Sequence, residues 1–225
     1  MKCIICRDNI YIRHIFSALF TTDKQMICDK CLEGLEKVEG GCVRCGKKTN
    51  DIICNDCLFW EQNKDYNLLK VINYSLYYYN EYAKTLVKKI KFNGDIAILL
   101  AFRQQIKKFL KPFPIKDKIL VPVPLFKTSL QKRGFNQSEV IARIINLPIL
   151  DNIYKSNDVK QSKKKRIARI VFDDQYRLKS KLNLHNKDII IIDDIYTTGA
   201  TVHKIAKLLS DCNARNICSF TLFRS

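Results

Sequence analysis

Asp188 to Thr201 reads DIIIIDDIYTTGAT, and the expected architecture of the chain follows from it. Ile189 to Ile192 are β-branched throughout and too short a run for a helix, so they predict one strand of a parallel sheet covered on both faces. Asp193 and Asp194 follow at once. Then come Thr197, Thr198, Gly199, Ala200 and Thr201, and the chain passes into a helical pattern, VHKIAKLLSDC. Backbone N–H groups at a helix start, beside a glycine that admits a ligand to the main chain, form a phosphate cradle to which threonine hydroxyls add donors. Two adjacent acids before such a cradle would repel a bare phosphate. They need vicinal hydroxyls, which donate to both carboxylates, or a divalent metal, and a ribose 5-phosphate satisfies acids and cradle together. The plainer alternative is a strand ending at a solvent edge, followed by a capped turn. There is no GxGxxG and no GK[ST], so neither the dinucleotide fingerprint nor the P-loop applies.

IIIIDDIYTTGAT resembles the signature of type I phosphoribosyltransferases, which bind phosphoribosyl pyrophosphate (PRPP). The resemblance implies that Asp193 and Asp194 hold the ribose 2′ and 3′ hydroxyls and serve catalysis. It also implies that Thr197, Thr198, Gly199, Ala200 and Thr201 bind the 5′-phosphate. The motif is specific for PRPP and far less specific for whatever is ribosylated.

With 225 residues the chain can hold one core of ordinary size and a small appendage. Its formal charge of +18 is unevenly spread: residues 1–60 carry 9 Lys/Arg and 8 Asp/Glu, leaving 31 and 14 for residues 61–225. The larger part is therefore the one that attracts polyanions, unless its lysines merely keep the protein soluble. No run approaches the roughly 18 apolar residues of a membrane span, and MKCIICRDNIYIRHIF is interrupted by Arg7, Asp8 and Arg13, unlike a signal-peptide core. A cytoplasmic protein with reduced thiols and no membrane insertion is expected.

Eight of the ten cysteines form four CxxC pairs: Cys3/Cys6, Cys28/Cys31, Cys42/Cys45 and Cys54/Cys57. Two such knuckles complete a tetrahedral thiolate site, so eight ligands predict two structural zinc ions rather than disulfides or a redox dithiol. In chain order the simplest grouping is Cys3, Cys6, Cys28 and Cys31 around one ion and Cys42, Cys45, Cys54 and Cys57 around the other; spacing leaves an interleaved grouping open. Thiolate sets of this kind keep no position for water, which argues against catalytic zinc. Residues 1–62 are expected to form a cysteine-rich module whose folding is coupled to metal. Cys212 and Cys218 read as small buried apolar residues.

Residues 63–225 form the second expected domain. Leu68 to Tyr79 has strand character, Asn80 caps a helix EYAKTLVKKIKF, and a second helix runs over about Asp95 to Leu110. Lys118 to Val123 reads as a buried strand. It leads into a loop bearing Lys127, Lys132 and Arg133 beside Gly134, a candidate pyrophosphate site or else a basic surface turn. Further helices are expected over Asn136 to Ile145 and after Gly199, with a last strand over Asn216 to Phe223. His14, His185 and His203 have no visible partner and read as structural or exposed. Tyr77, Tyr78, Phe92 and Phe135 could stack bases, although aromatic residues in strands and helix ends are more often core. The alternation predicts an α/β domain: a mainly parallel sheet flanked by helices, of type I phosphoribosyltransferase kind, with a small N-terminal double zinc-knuckle module.

VPVPLFKTSLQKRGFNQS, with KFNGD (Lys91 to Asp95), the CxxC pairs and the Asp193 to Thr201 loop, resembles the ComF family of competence proteins over nearly the full length. The family joins a zinc module to a phosphoribosyltransferase-type domain and is tied to DNA uptake in natural transformation. The resemblance implies PRPP with Mg²⁺ as ligand, single-stranded DNA on the basic surface, and a competence helicase as a possible partner. It puts Arg133 and Gly134 on the pyrophosphate side. One region departs from the family's flap pattern: Gln161 and Arg169 fit, but Phe172 stands where asparagine is expected and Tyr176 where phenylalanine is. The basic run holding Lys163, Lys164, Lys165 and Arg166 would reach pyrophosphate or nucleic acid, or serve as a solvated loop. Two other functions remain open: a non-catalytic DNA-binding or adaptor module regulated by PRPP, and a nucleobase salvage phosphoribosyltransferase. The zinc module and the lack of a base-specific motif weigh against salvage.

Overall fold

The structure, a computed structural model, describes residues 1–10, 25–156 and 175–225. His14 and the flap residues Gln161, Lys163, Lys164, Lys165, Arg166, Arg169 and Phe172 lie outside the described residues. In chain order the elements are α1 (Asp29–Glu33), α2 (Asn55–Gln62), β1 (Ile72–Tyr78), α3 (Glu81–Phe92), α4 (Ile96–Ala101), α5 (Arg103–Leu110) and β2 (Ile119–Pro122). They continue with α6 (Lys127–Arg133), α7 (Gln137–Ile145), β3 (Ile153–Lys155), β4 (Tyr176–Leu178), β5 (Asp188–Tyr196), α8 (Ala200–Ser210) and β6 (Asn216–Arg224).

Four strands form a parallel sheet in the order β1-β6-β5-β2, and β3 and β4 make a separate antiparallel pair. β5 lies inside the sheet, as its isoleucine run requires. Successive strand side chains alternate in direction, so Ile190 and Ile192 enter one core with α3, α4, α5 and α7, while Ile189 and Ile191 enter the other with Val202, Ile205, Ala206 and Leu209 of α8. The N-terminal cysteines divide in the same way. Cys3 and Cys31 belong to the first core with Ile10, Ile27 and Leu35; Cys42, Cys45, Cys54 and Cys57 belong to the second. Residues 36–38 lie along the outer edge of β1, where Tyr78 N–H donates to Glu36 O at 2.7 Å and Val38 N–H to Leu76 O at 3.2 Å, covering part of an edge that would otherwise be open to pairing.

Several expected boundaries are corrected. The strand expected from Leu68 starts only at Ile72, because 63–71 close turns of their own, with Tyr66 and Asn67 both donating to Asn63 O. The helix expected from Asp95 to Leu110 breaks at Phe102, whose ring is fully buried. Lys127 to Arg133 is helix rather than loop. Gly134 ends it in the left-handed region (φ 77°), which glycine adopts freely. The acidic pair lies within β5, where Asp193 pairs with Thr221 and the strand runs on to Tyr196, so the loop before α8 is shorter than expected. Among the described residues no helix is long and apolar enough to cross a membrane.

Candidate functional site

The carboxyl end of β5 is where parallel sheets of this kind expose strand termini to ligands, and there the two acids have different surroundings. Asp193 Oδ1 accepts from its neighbour's backbone, Asp194 N–H, at 2.9 Å and from Ser138 Oγ of α7 at 3.1 Å. Asp194 Oδ2 lies 2.6 Å from Lys91 Nζ in the last turn of α3. Burial, and then the Asp194 charge beside it, push the Asp193 carboxyl up to about 7.

The loop after the acids is held from behind at every carbonyl. Arg224 Nη1 donates to Tyr196 O at 3.1 Å and to Thr197 O at 2.9 Å, and Trp60 Nε1 donates to Thr198 O at 2.7 Å. His203 Nδ1 lies 3.0 Å from Gly199 O; a carbonyl only accepts, so this contact assigns the Nδ1–H tautomer. Burial holds the His203 imidazole down at about 4, so it is neutral near pH 7. The peptide bonds are trans, and in a trans peptide the C=O and the following N–H point oppositely. Four carbonyls drawn inward therefore send the N–H groups of Thr197, Thr198, Gly199 and Ala200 the other way. Together with the first turn of α8, whose N–H groups have no acceptor within the helix, they make an anion nest. Gly199 (φ 82°) is required twice over, since a Cβ there would run into the Tyr196 hydroxyl and the His203 ring. Thr197 and Thr198 are exposed, and Thr201 is half-buried and hydrogen-bonded to Tyr176 of β4.

Arg133 and Gly134 sit at the end of α6. Arg133 Nη1 donates to Gln137 Oε1 at 3.2 Å, and Gln137 directly precedes the serine that reaches Asp193, so the FNQS start of α7 connects the two halves. The Gly94 turn of KFNGD comes close to the Arg133 backbone. Gly134 N–H, however, closes the helix onto Leu130 O at 2.8 Å, so its glycine serves the left-handed cap rather than offering a free N–H to an anion. The Gln137 side-chain nitrogen is buried without a partner.

The cysteines form two tetrads, Cys3/Cys6/Cys28/Cys31 and Cys42/Cys45/Cys54/Cys57, with the sulfurs of each within 4.8 Å of one another. This is the grouping in chain order. Sulfur pairs stand at 3.9 and 3.7 Å in the first and 3.7 and 3.7 Å in the second, matching the ~3.8 Å edge of a tetrahedron with Zn–S of about 2.3 Å. Backbone N–H groups of Cys28 and Cys54 donate to Cys3 and Cys42 sulfur at 3.4 and 3.3 Å. The neighbouring Cys57 thiol and the Arg224 guanidinium hold Cys45 down at about 5. The donor sets thus fit zinc, with no place left for water. Of the remaining thiols, Cys212 is buried as expected, and Cys218 is half-buried against Ile189 O.

Trp60, Arg224 and His203 carried no functional signal in the sequence. Only the "no visible partner" reading of His203 touched any of them, and here it stacks on Trp60 with ring centres 4.5 Å apart and planes 8° from parallel. His185 is exposed.

A model of the phosphoribosyl transferase domain matches residues 128–225. The chain is 35% identical to competence protein ComFC of Bacillus subtilis, over 99% of this chain and 95% of that one. It is 30% identical to competence protein ComFC of Streptococcus pneumoniae, over the whole of both. Among solved structures, a hypoxanthine phosphoribosyltransferase from Staphylococcus aureus aligns over 55% of this chain and 60% of that one, with 16% identity and a TM-score of 0.34. With cysteine tetrads, acid pair and anion nest in one chain and identity running from end to end, the protein belongs to the ComFC family of competence proteins.

Proposed function

We propose that the chain is a PRPP-binding, phosphoribosyltransferase-like protein of DNA uptake, working in the cytoplasm, with two structural zinc ions in a module over residues 1–62 and the sugar-phosphate site in residues 63–225. The observation that carries the reading is the nest at Thr197 to Ala200, turned toward ligand by four inward-bound carbonyls directly after two acids. In this reading Asp193 and Asp194 accept from the ribose 2′ and 3′ hydroxyls, and the N–H groups of 197–201 with the Thr197 and Thr198 hydroxyls bind the 5′-phosphate. Arg133, aimed by Gln137, faces the pyrophosphate. Mg²⁺ bound with PRPP would offset the leaving-group charge, while the protein holds the ribose rigidly as the anomeric carbon becomes oxocarbenium-like.

The basic balance of residues 61–225 supports single-stranded DNA as the polyanion. Of the aromatic candidates for stacking, Tyr77 and Tyr78 are core, Phe135 packs against it, and Phe92 is 77% exposed beside Lys91, which makes Phe92 the best placed to meet a base. Calorimetry with PRPP and Mg²⁺, run beside a pyrophosphate assay with and without single-stranded DNA, tests the reading. Heat that disappears in Asp194→Asn supports it; no heat in the wild type overturns it. Heat without pyrophosphate release, with salt-sensitive DNA binding surviving Asp193→Asn, selects the non-catalytic adaptor, to which a competence helicase would be the partner. Turnover with free adenine, guanine, hypoxanthine or uracil selects nucleobase salvage.

A further inference from the structure

We infer that the second cysteine tetrad sets the shape of the anion nest through Arg224 and Trp60, so that metal in the tetrad and anion in the nest stabilise one another. The inference deepens the proposed function, and rests on it only for the identity of the anion.

Two routes run from the tetrad to the nest. Arg224 is 1% exposed, and its donors divide between two sites: Nε reaches Cys45 O at 2.9 Å and Nη2 reaches Cys45 sulfur at 3.1 Å, while Nη1 holds Tyr196 O and Thr197 O. A planar guanidinium has a fixed fork of donors, so a shift of the Cys42–Cys45 knuckle must move the end that grips the loop. The Cys45 sulfur is also the side-chain partner of this buried cation, and losing the contact would leave the guanidinium with an unpaired donor. The second route is α2, which begins directly after Cys54, carries Cys57, and one turn later presents Trp60. That indole is 2% exposed; its N–H holds Thr198 O and its face stacks on His203, which in turn holds Gly199 O. Between them the routes reach all four inward carbonyls; Tyr196 O and Gly199 O also accept from the backbone N–H groups of Ser225 and His203, each at 2.9 Å, so Thr197 O and Thr198 O are the two that depend most on Arg224 and Trp60. Removing the ion frees the knuckle and α2 from each other, and with them the supports of the loop. Equilibrium coupling is reciprocal, so an anion in the nest must by the same factor tighten retention of the ion.

The first tetrad supplies an internal control. It packs in the core on the other face of the sheet, and among the described residues its contacts include neither Arg224, Trp60 nor the loop.

The test uses the full-length, zinc-loaded protein and measures hydrogen exchange of the peptide spanning 196–203, without ligand. Cys57→Ser should raise exchange there about tenfold, toward the lower end of the usual range of coupling, whereas Cys6→Ser in the first tetrad should not. Trp60→Phe keeps the ring stack and loses only the N–H donor, so it should raise exchange with both zinc ions retained; this covers the case in which Cys57→Ser fails to fold. Competition for zinc with a chromogenic chelator is then taken to equilibrium with and without PRPP and Mg²⁺: one of two equivalents should be held about tenfold more tightly, and the gain should vanish in Trp60→Phe. Unchanged loop exchange in both Cys57→Ser and Trp60→Phe overturns the inference whether or not PRPP binds. Raised loop exchange with no PRPP heat upholds the coupling and overturns only the assignment of the anion. PRPP heat with both zinc equivalents held at unchanged affinity overturns the reciprocal coupling and leaves the PRPP reading intact.

Discussion

Lys91 Nζ and Asp194 Oδ2 are 2.6 Å apart, with the two side chains only 22% and 15% exposed, although 103 residues separate them in the chain. Such a pair is worth more than a surface ion pair, and removing one partner strands the other's charge. Here the stranded carboxylate would stand beside a second one, and the Lys91 charge is among the influences that hold the Asp193 carboxyl down. Lys91→Met is therefore expected to raise the Asp193 carboxyl above its present value of about 7. In the proposed function, PRPP binding strengthens as pH rises through about 7 and Asp193 gives up its proton. For one unit of carboxylate shift the substitution should weaken binding about threefold at pH 7.5 and nearly tenfold at pH 6, and move this pH dependence upward. Calorimetry at pH 6, 7 and 8 reads both effects.

Asp193 itself trades stability for ligand contacts. Its folded value of about 7 lies above the ordinary 3.8, so the folded state holds a proton that the unfolded chain releases, and stability contributed by this group is lost as pH rises from about 4 to 7. Asp193→Asn keeps an oxygen that accepts from Asp194 N–H and Ser138 while removing the ionisation. Its melting temperature should exceed that of the wild type by about 5 °C at pH 8 and by little at pH 4, with PRPP binding abolished. A variant that melts lower at pH 8 would contradict the account.

His203 has the opposite sign. Its folded value of about 4 lies below 6.5, so the neutral ring is favoured by folding, and its contribution is complete above pH 6.5 and lost as pH falls toward 4, amounting to about 3 kcal/mol. Asp193 titrates with the opposite sign over the same range, so urea denaturation of the Asp193→Asn variant, followed by the fluorescence of Trp60, the sole tryptophan, should show that slope. The slope should be largely absent when His203→Asn is added.

Gly199 tests the nest without altering any charge. Alanine there meets a left-handed φ of 82° and collides with Tyr196 and His203, at a cost of ~1–3 kcal/mol. Because the loop must shift to relieve the clash, Gly199→Ala should lose PRPP affinity by more than tenfold, while zinc content stays at two per chain by atomic absorption. Unchanged affinity would show that the N–H groups of this loop are not the phosphate site.

What could be read from the chain was what neighbouring residues settle among themselves. Four β-branched residues in a row ask for burial on both faces, and Ile189 to Ile192 alternate between the two cores as expected. The acid pair, the glycine and the helix start lie within eight residues of one another, and a CxxC knuckle is a local geometry, so β5, the nest and the tetrads were legible, and so was the alternation of strands and helices. The misreadings were also local in origin. KTSLQKR ahead of Gly134 has the basic, glycine-ended look of a phosphate loop, yet it closes as a helix whose glycine N–H is spent on the cap.

Which residues carry charge, metal and backbone freedom was legible along the chain, because those properties belong to a residue and its immediate neighbours. What stands behind the nest and opposite the acids came only with the folded arrangement. Trp60 reaches Thr198 across 138 residues, and Arg224 reaches Cys45 across 179. Neither pairing has a local pattern, since each exists only once the sheet's order has brought the last strand and the cysteine knuckle against the same loop.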